Sequence, residues 1–63
     1  MNPTVYQFKE SGKKFIAEDW DFKRGKAYHI GVMEGEDGKW YDQYFTFNEM
    51  NEWIKTGEVK RIA

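Results

Sequence analysis

Apolar and polar residues alternate along four stretches of the chain, and a period of two is typical of β-strands. In the third stretch, Tyr28, Ile30 and Val32 would share one face of a sheet, and His29 and Met33 the other. Four strands are therefore predicted, at Thr4 to Lys9, Lys14 to Glu18, Lys26 to Glu34 and Lys39 to Phe45.

Turn signals separate these stretches. Residues 10–13 (ESGK) predict a hairpin between the first two strands, and Asp-Gly within residues 35–38 predicts a second one. Residues 19–25 (DWDFKRG) carry two aromatics among five residues of poor β-propensity. This segment is predicted to be a loop.

Helix signals follow the fourth strand. Thr46 and Glu49 fit a capping box, Met50 stands at the N4 position of a hydrophobic staple, and Gly57 is placed to end the helix. Apolar residues recur at helical spacing at Phe47, Met50, Trp53 and Ile54. The pattern predicts one amphipathic helix at about residues 47–56.

The order of elements predicts the fold class. Strands followed by a helix, with a last short strand within residues 58–63, favour a single α+β domain over residues 1–63. We expect a small antiparallel β-sheet of four to five strands with one C-terminal helix. An open sheet and a partly open, SH3-like barrel are both compatible with the pattern.

Composition narrows the class of protein. The chain has 63 residues, no cysteine, a net charge of -1 and 19% aromatic residues. Aromatic side chains bury large areas and suit the core of a domain this small. The first residues, MNPT, lack the basic and apolar parts of a signal peptide, and no apolar run approaches a membrane span. We expect a cytoplasmic protein with no membrane contact.

Catalytic groups are scarce. His29 is the only histidine and Ser11 the only serine, and they fall in a predicted strand and a predicted turn. Three carboxylates cluster at Glu34, Glu36 and Asp37, without the spacing of a calcium loop. We therefore expect no enzymatic activity, no catalytic residue, no metal site and no cofactor.

The aromatic excess points to a contact surface. If Tyr41 and Phe45 face the core, Trp40 and Tyr44 lie on the opposite face of the same strand. Exposed Trp and Tyr are enriched at protein-binding hot spots. The alternative without a function is a sheet that buries both of its faces. The predicted partner-binding residues are Trp40, Tyr44, Trp20, Phe22, Glu34, Glu36 and Asp37.

A basic cluster supports a second hypothesis. Lys23, Arg24 and Lys26 stand next to Trp20 and Phe22 along the chain. Together with Trp40, these residues could form a surface on which unpaired bases stack beside neutralised phosphates. Binding of single-stranded nucleic acid is the alternative function, although the near-neutral net charge makes nucleic acid the less favoured partner.

The segment DGKWYDQY at residues 37–44 resembles part of the small phage inhibitors of uracil-DNA glycosylase. The resemblance covers about residues 26–57 and depends on the pattern DGK-x-Y-x-x-Y before a helix. The chain departs from that family at Gln43, where the family has glutamate, and at Met50 and Asn51, where it has Phe and Glu.

The resemblance implies a mode of action. Members of that family mimic DNA, with acidic groups flanking an apolar pocket that receives a side chain of the target. The corresponding residues of this chain would be the acidic cluster of residues 34–37 with Met50 and Trp53. More broadly, the resemblance implies a compact phage or mobile-element protein that binds a host protein.

The leading hypothesis is thus a small non-enzymatic protein that binds a host protein, as an inhibitor or modulator of phage type. It rests on the length, the scarcity of catalytic groups and the aromatic excess. Homodimerisation through an exposed sheet face is a variant of the same hypothesis, because pairing would enlarge the core of so small a domain.

Overall fold

The computed structural model of the chain describes residues 3–63, which form five strands and one helix. The helix lies between the fourth and fifth strands in sequence. The elements are β1 (Thr4–Phe8), β2 (Lys14–Lys23), β3 (Lys26–Glu34), β4 (Trp40–Thr46), α1 (Phe47–Thr56) and β5 (Val59–Arg61).

The five strands form a single antiparallel sheet in the order β4-β3-β2-β1-β5. This arrangement confirms the predicted α+β class and the C-terminal helix. The strands at the two ends of the order, β4 and β5, are the edges of an open sheet. The chain therefore adopts the open-sheet alternative and not the SH3-like barrel.

Helix α1 begins and ends where the sequence predicts. The Thr46 hydroxyl accepts a hydrogen bond from the Glu49 backbone N–H at 3.0 Å, and the Glu49 carboxylate accepts one from the Thr46 N–H at 3.1 Å. These reciprocal bonds satisfy two donors that the first turn leaves unpaired. Gly57 ends the helix with φ +84°, a conformation that suits glycine.

The hydrophobic core lies between α1 and one face of the sheet. Phe15, Met50 and Val59 are its fully buried members. The ring of Phe45 lies at the centre of an aromatic cluster, with centroid distances of 5.0 Å to Phe15, 5.2 Å to Trp53 and 5.8 Å to Phe8. Because Phe45 comes directly before the helix cap, the same ring that fills the core also anchors the start of α1.

Strand β2 is longer than predicted, so the prediction of a loop over residues 19–25 is wrong. Residues 19–23 pair with β3, and Arg24 and Gly25 alone make the connection. Both have positive φ, 52° and 77°, as a two-residue type I′ hairpin turn requires. Pairing with β3 outweighs the poor local propensity of the aspartates in this segment.

A β-bulge interrupts β2. Ala17 pairs with Gly31 and Asp19 with Ile30, so Glu18 is an extra residue without a partner in β3. An extra residue reverses which side of the sheet each later side chain occupies. Trp20 consequently lies on the helix side, as Phe15 and Ala17 do.

Beyond the bulge, β2 has a neighbouring strand on one side only, since the pairing between β1 and β2 ends at Thr4 and Ala17. On the side without a neighbouring strand, backbone N–H groups of β2 donate to side chains of adjacent residues in the same strand. The Asp19 carboxylate accepts from the Trp20 N–H at 2.7 Å, and the Asp21 carboxylate from the Phe22 N–H at 2.7 Å. Occupied donors and charged side chains make this edge a poor template for another strand.

Gly31 is the position where the sheet tolerates a side chain least. A Cβ atom there would lie 1.7 Å from the Ile16 carbonyl oxygen, a backbone atom that cannot move without breaking the pairing of β2 with β3. We predict that Gly31→Ala lowers the free energy of unfolding by about 3 kcal/mol or more. Urea denaturation followed by tryptophan fluorescence measures it.

Gly12→Ala is the matched control. A Cβ atom at Gly12 would meet open space, and only the positive φ of 71° would oppose it. The expected cost is about 1 kcal/mol. Equal losses of stability in the two variants would contradict the close approach of β2 and β3 at Gly31.

Candidate functional site

Helix α1 covers one side of the sheet, and the opposite side forms a surface that we call the helix-free face. Alternate residues of each strand point to the same side of the sheet, and the strand registers show which residues of neighbouring strands share that side. The apolar members of the helix-free face are Val5, Ile16, Tyr28, Ile30, Val32, Trp40 and Tyr44, with Ile62 at its border beside Val5.

The helix-free face is apolar and open to solvent. Tyr44 is 64% exposed, Trp40 45% and Ile30 38%. The rings of Tyr28 and Tyr44 meet edge to face, with centroids 5.7 Å apart. The face measures about 20 Å across the five strands and about 20 Å along β3 from Tyr28 to Glu34. It is a broad, open surface with a shallow depression rather than an enclosed pocket.

Charged residues border this apolar surface. Asp19 pairs with Ile30, Asp21 with Tyr28, and Asp42 with Val32. Asp21 also forms an ion pair with Lys23 at 3.8 Å, next to a shallow depression whose floor is made by Tyr28, Ile30 and Tyr44. Three carboxylates thus lie beside the most exposed part of the helix-free face, and Lys23 and Arg24 line the depression as well.

The predicted binding residues Trp40 and Tyr44 both lie on the helix-free face, on the edge strand β4. Glu34, which pairs with Trp40, lies on the same side of the sheet, and the other four lie elsewhere. Trp20 and Phe22, each 63% exposed, are on the helix side, because the bulge at Glu18 reverses the alternation before them. The seven residues therefore do not form one surface.

The acidic cluster is engaged in local interactions. A Glu34 oxygen accepts from the Lys14 N–H at 2.8 Å, and Glu36 forms an ion pair with Lys13 at 3.6 Å. Asp37 accepts from the Lys39 N–H at 2.9 Å and from the Tyr41 hydroxyl. These carboxylates hold the β3–β4 turn and its contact with the β1–β2 hairpin.

The hydrogen bond between Tyr41 and Asp37 affects both groups. It lowers the pKa of Asp37, with the Lys39 N–H as a second cause, and raises the pKa of Tyr41. The expectation that Tyr41 belongs to the core is wrong, since it is 53% exposed. Tyr41 lies on the edge strand β4. Helix α1 does not cover it, because the helix crosses the sheet towards β5.

The apolar pocket implied by the resemblance is not open. Met50 is fully buried beneath α1, and Trp53 packs edge to face against Phe8 and Phe45. Neither residue can receive a protruding side chain of a partner without unpacking the core. The resemblance to the inhibitor family itself stays a prediction.

The basic cluster of Lys23, Arg24 and Lys26 lies at the β2–β3 turn. Phe22 lies at that end of the sheet, but Trp40 pairs with Glu34 at the opposite end, about 20 Å away along β3. Trp40 is also on the other face. The structure therefore does not assemble the aromatic and basic set that the nucleic-acid hypothesis requires.

Five apolar residues of the helix-free face were not identified as binding candidates from the sequence: Val5, Ile16, Tyr28, Ile30 and Val32. The alternation in β3 already placed three of them on one face. What the sequence did not show is that α1 packs on the other side, against His29 and Phe45.

On the helix side, the first turn of α1 and the bulged part of β2 enclose a second feature, the aromatic cleft. It has a volume of about 500 Å³. His29 stacks on Phe47 at 4.1 Å, and Trp20 meets Phe47 edge to face at 6.5 Å. Its lining comprises Tyr6, Trp20, His29 and Phe47 with Pro3, Thr4, Ala17, Glu18 and Asp19.

His29 is a packed ring of this cleft. Its edge-to-face contact with Tyr6 is 5.8 Å, and burial lowers its pKa. Within residues 3–63, no group of three or more His, Asp or Glu side chains is arranged to hold a metal ion. No helix in that range is long and apolar enough to cross a membrane.

Protein-family models, curated proteins and solved structures were compared with the chain, and none of them matches it.

The lowered pKa of His29 makes stability depend on pH. The unfolded state, with a pKa of about 6.5, binds a proton more readily than the folded state. The free energy of unfolding is therefore highest above that pH, and it decreases as the pH falls through the pKa that His29 has in the folded state. We predict a lower urea midpoint at pH 5.5 than at pH 7.5, with a smaller decrease in His29→Phe, which keeps a ring against Phe47.

The carboxyl group of Asp37 does not interfere with this comparison, because its pKa is lowered and it titrates below this range. An equal decrease in the wild-type chain and in His29→Phe would contradict the assignment of the pH dependence to His29.

Proposed function

We propose that this chain is a small, non-catalytic protein-binding module and that the helix-free face is its binding surface. One observation carries the proposal: a contiguous apolar sheet surface with exposed Trp40, Tyr44 and Ile30 has no covering element among the described residues. Large exposed apolar patches on small domains mark interaction sites.

The shape of the face favours a protein over a small molecule. Small-molecule sites are concave and enclose most of the ligand, whereas this surface is broad and open with only a shallow depression. Tyr and Trp are the residue types that contribute most at protein interfaces. The tyrosine pair Tyr28 and Tyr44, with Ile30 beside it, would form the centre of the contact.

The border of the face specifies the chemistry of the partner. Asp19, Asp21 and Asp42 lie beside the exposed apolar centre, and Lys23 and Arg24 lie at its end next to the β2–β3 turn. A complementary surface would have aliphatic side chains at its middle, Lys or Arg opposite the aspartates, and an acidic side chain opposite Lys23 and Arg24. Such a partner fits the hypothesis of a modulator of phage type acting on a host protein.

A photo-crosslinking experiment tests the proposal and identifies the partner. A benzophenone amino acid replaces Tyr44 in one variant and Phe22 in a matched control, which is equally exposed but on the helix side. We expect a discrete adduct with a different protein from position 44 and none from position 22. An adduct of two copies of the chain, or equal adducts from both positions, would contradict the proposal.

Once the partner is purified, substitutions measure the contribution of the face. We predict that Tyr44→Ser weakens binding by about 30-fold, because an exposed interface tyrosine acts as a hot spot. Phe22→Ser should leave the dissociation constant within about twofold. Isothermal titration calorimetry gives both values, and equal affinities for the two variants would overturn the assignment of the face.

A further inference from the structure

The aromatic cleft is assembled by the bulge in β2. Without the extra residue Glu18, Trp20 would point to the helix-free face and the cleft would lose one wall. Bulges often reorient side chains at functional sites. Here the bulge places the indole of Trp20, which is 63% exposed, opposite the ring of Phe47 at the start of α1.

The charged residues that line the cleft are acidic. Glu18 and Asp19 line it, with the Asp19 carboxylate already accepting from the Trp20 N–H, and the described lining residues include no lysine and no arginine. The remaining titratable ring, His29, has its pKa lowered by burial, so it is neutral at pH 7. Aromatic rings together with an uncompensated carboxylate, that of Glu18, attract a cation.

We propose that the aromatic cleft binds a guanidinium group, the side chain of an arginine supplied by another molecule. The planar cation would stack on the Trp20 indole, and its N–H groups would donate to the carboxylate of Glu18. Arginine fits this site better than lysine because its flat fork can stack and form paired hydrogen bonds at once.

This inference goes beyond the proposed function and does not depend on it. The aromatic cleft and the helix-free face lie on opposite sides of the sheet. Substitutions at Tyr44 test one of them, and substitutions at Trp20 and Glu18 test the other.

The test is an NMR titration of the full chain with N-acetyl-argininamide. The indole N–H signals of Trp20, Trp40 and Trp53 report on three separate parts of the molecule. We expect a saturable shift of the Trp20 signal and of the His29 ring signals, with little change at Trp40. A shift centred on Trp40, or no shift, would overturn the proposal.

Two related ligands separate charge from shape. The citrulline analogue has nearly the same shape as the arginine compound but is neutral, and it should bind about tenfold more weakly. The lysine analogue should be intermediate. Equal binding of the citrulline and arginine compounds would show that the negative charge of Glu18 plays no part and would contradict the proposal.

Variants complete the design. Glu18→Gln leaves every ring in place and should weaken arginine binding several-fold while leaving citrulline binding unchanged. Trp20→Ala should reduce arginine binding about tenfold, and Trp40→Ala is the matched control that should have no effect. Because Glu18 is an exposed bulge residue, Glu18→Gln keeps the proposal falsifiable even if Trp20→Ala impairs folding.

Discussion

The structure depends on one constraint. A single ten-residue helix has to cover a five-stranded sheet that has two faces. The helix is about 15 Å long and can cover part of one face. Phe45 fixes which face, since its ring joins the aromatic core just before the helix begins. The apolar residues of β3 and β4 on the other side are then left to solvent. The candidate binding surface follows directly from the placement of the core.

The bulge at Glu18 produces the second feature of the molecule. It sends Trp20 and Phe22 to the helix side, away from Trp40 and Tyr44. The exposed aromatics are consequently divided between two surfaces with different shapes, an open apolar face and an aromatic cleft with an acidic residue, Glu18, in its lining. Each of these surfaces suits a different ligand.

Local signals account for what the sequence predicted well. The capping box, the C-terminal glycine and the Asp-Gly turn act within a few residues, so α1 and the β3–β4 hairpin follow from neighbouring side chains alone. The extension of β2 and its bulge depend on pairing with β3, which no local signal encodes. For the same reason the sequence grouped Trp20 and Phe22 with Trp40, and the structure separates them.

The four isoleucines allow the most direct test of the central claim, that partners bind the helix-free face. Ile16 and Ile30 lie on it, Ile62 borders it, and Ile54 is exposed on α1. In a chain labelled at its isoleucine methyl groups, NMR spectra with the partner should show changes at Ile16, Ile30 and Ile62 and an unchanged Ile54. A perturbed Ile54 with unchanged Ile16 and Ile30 would contradict the account.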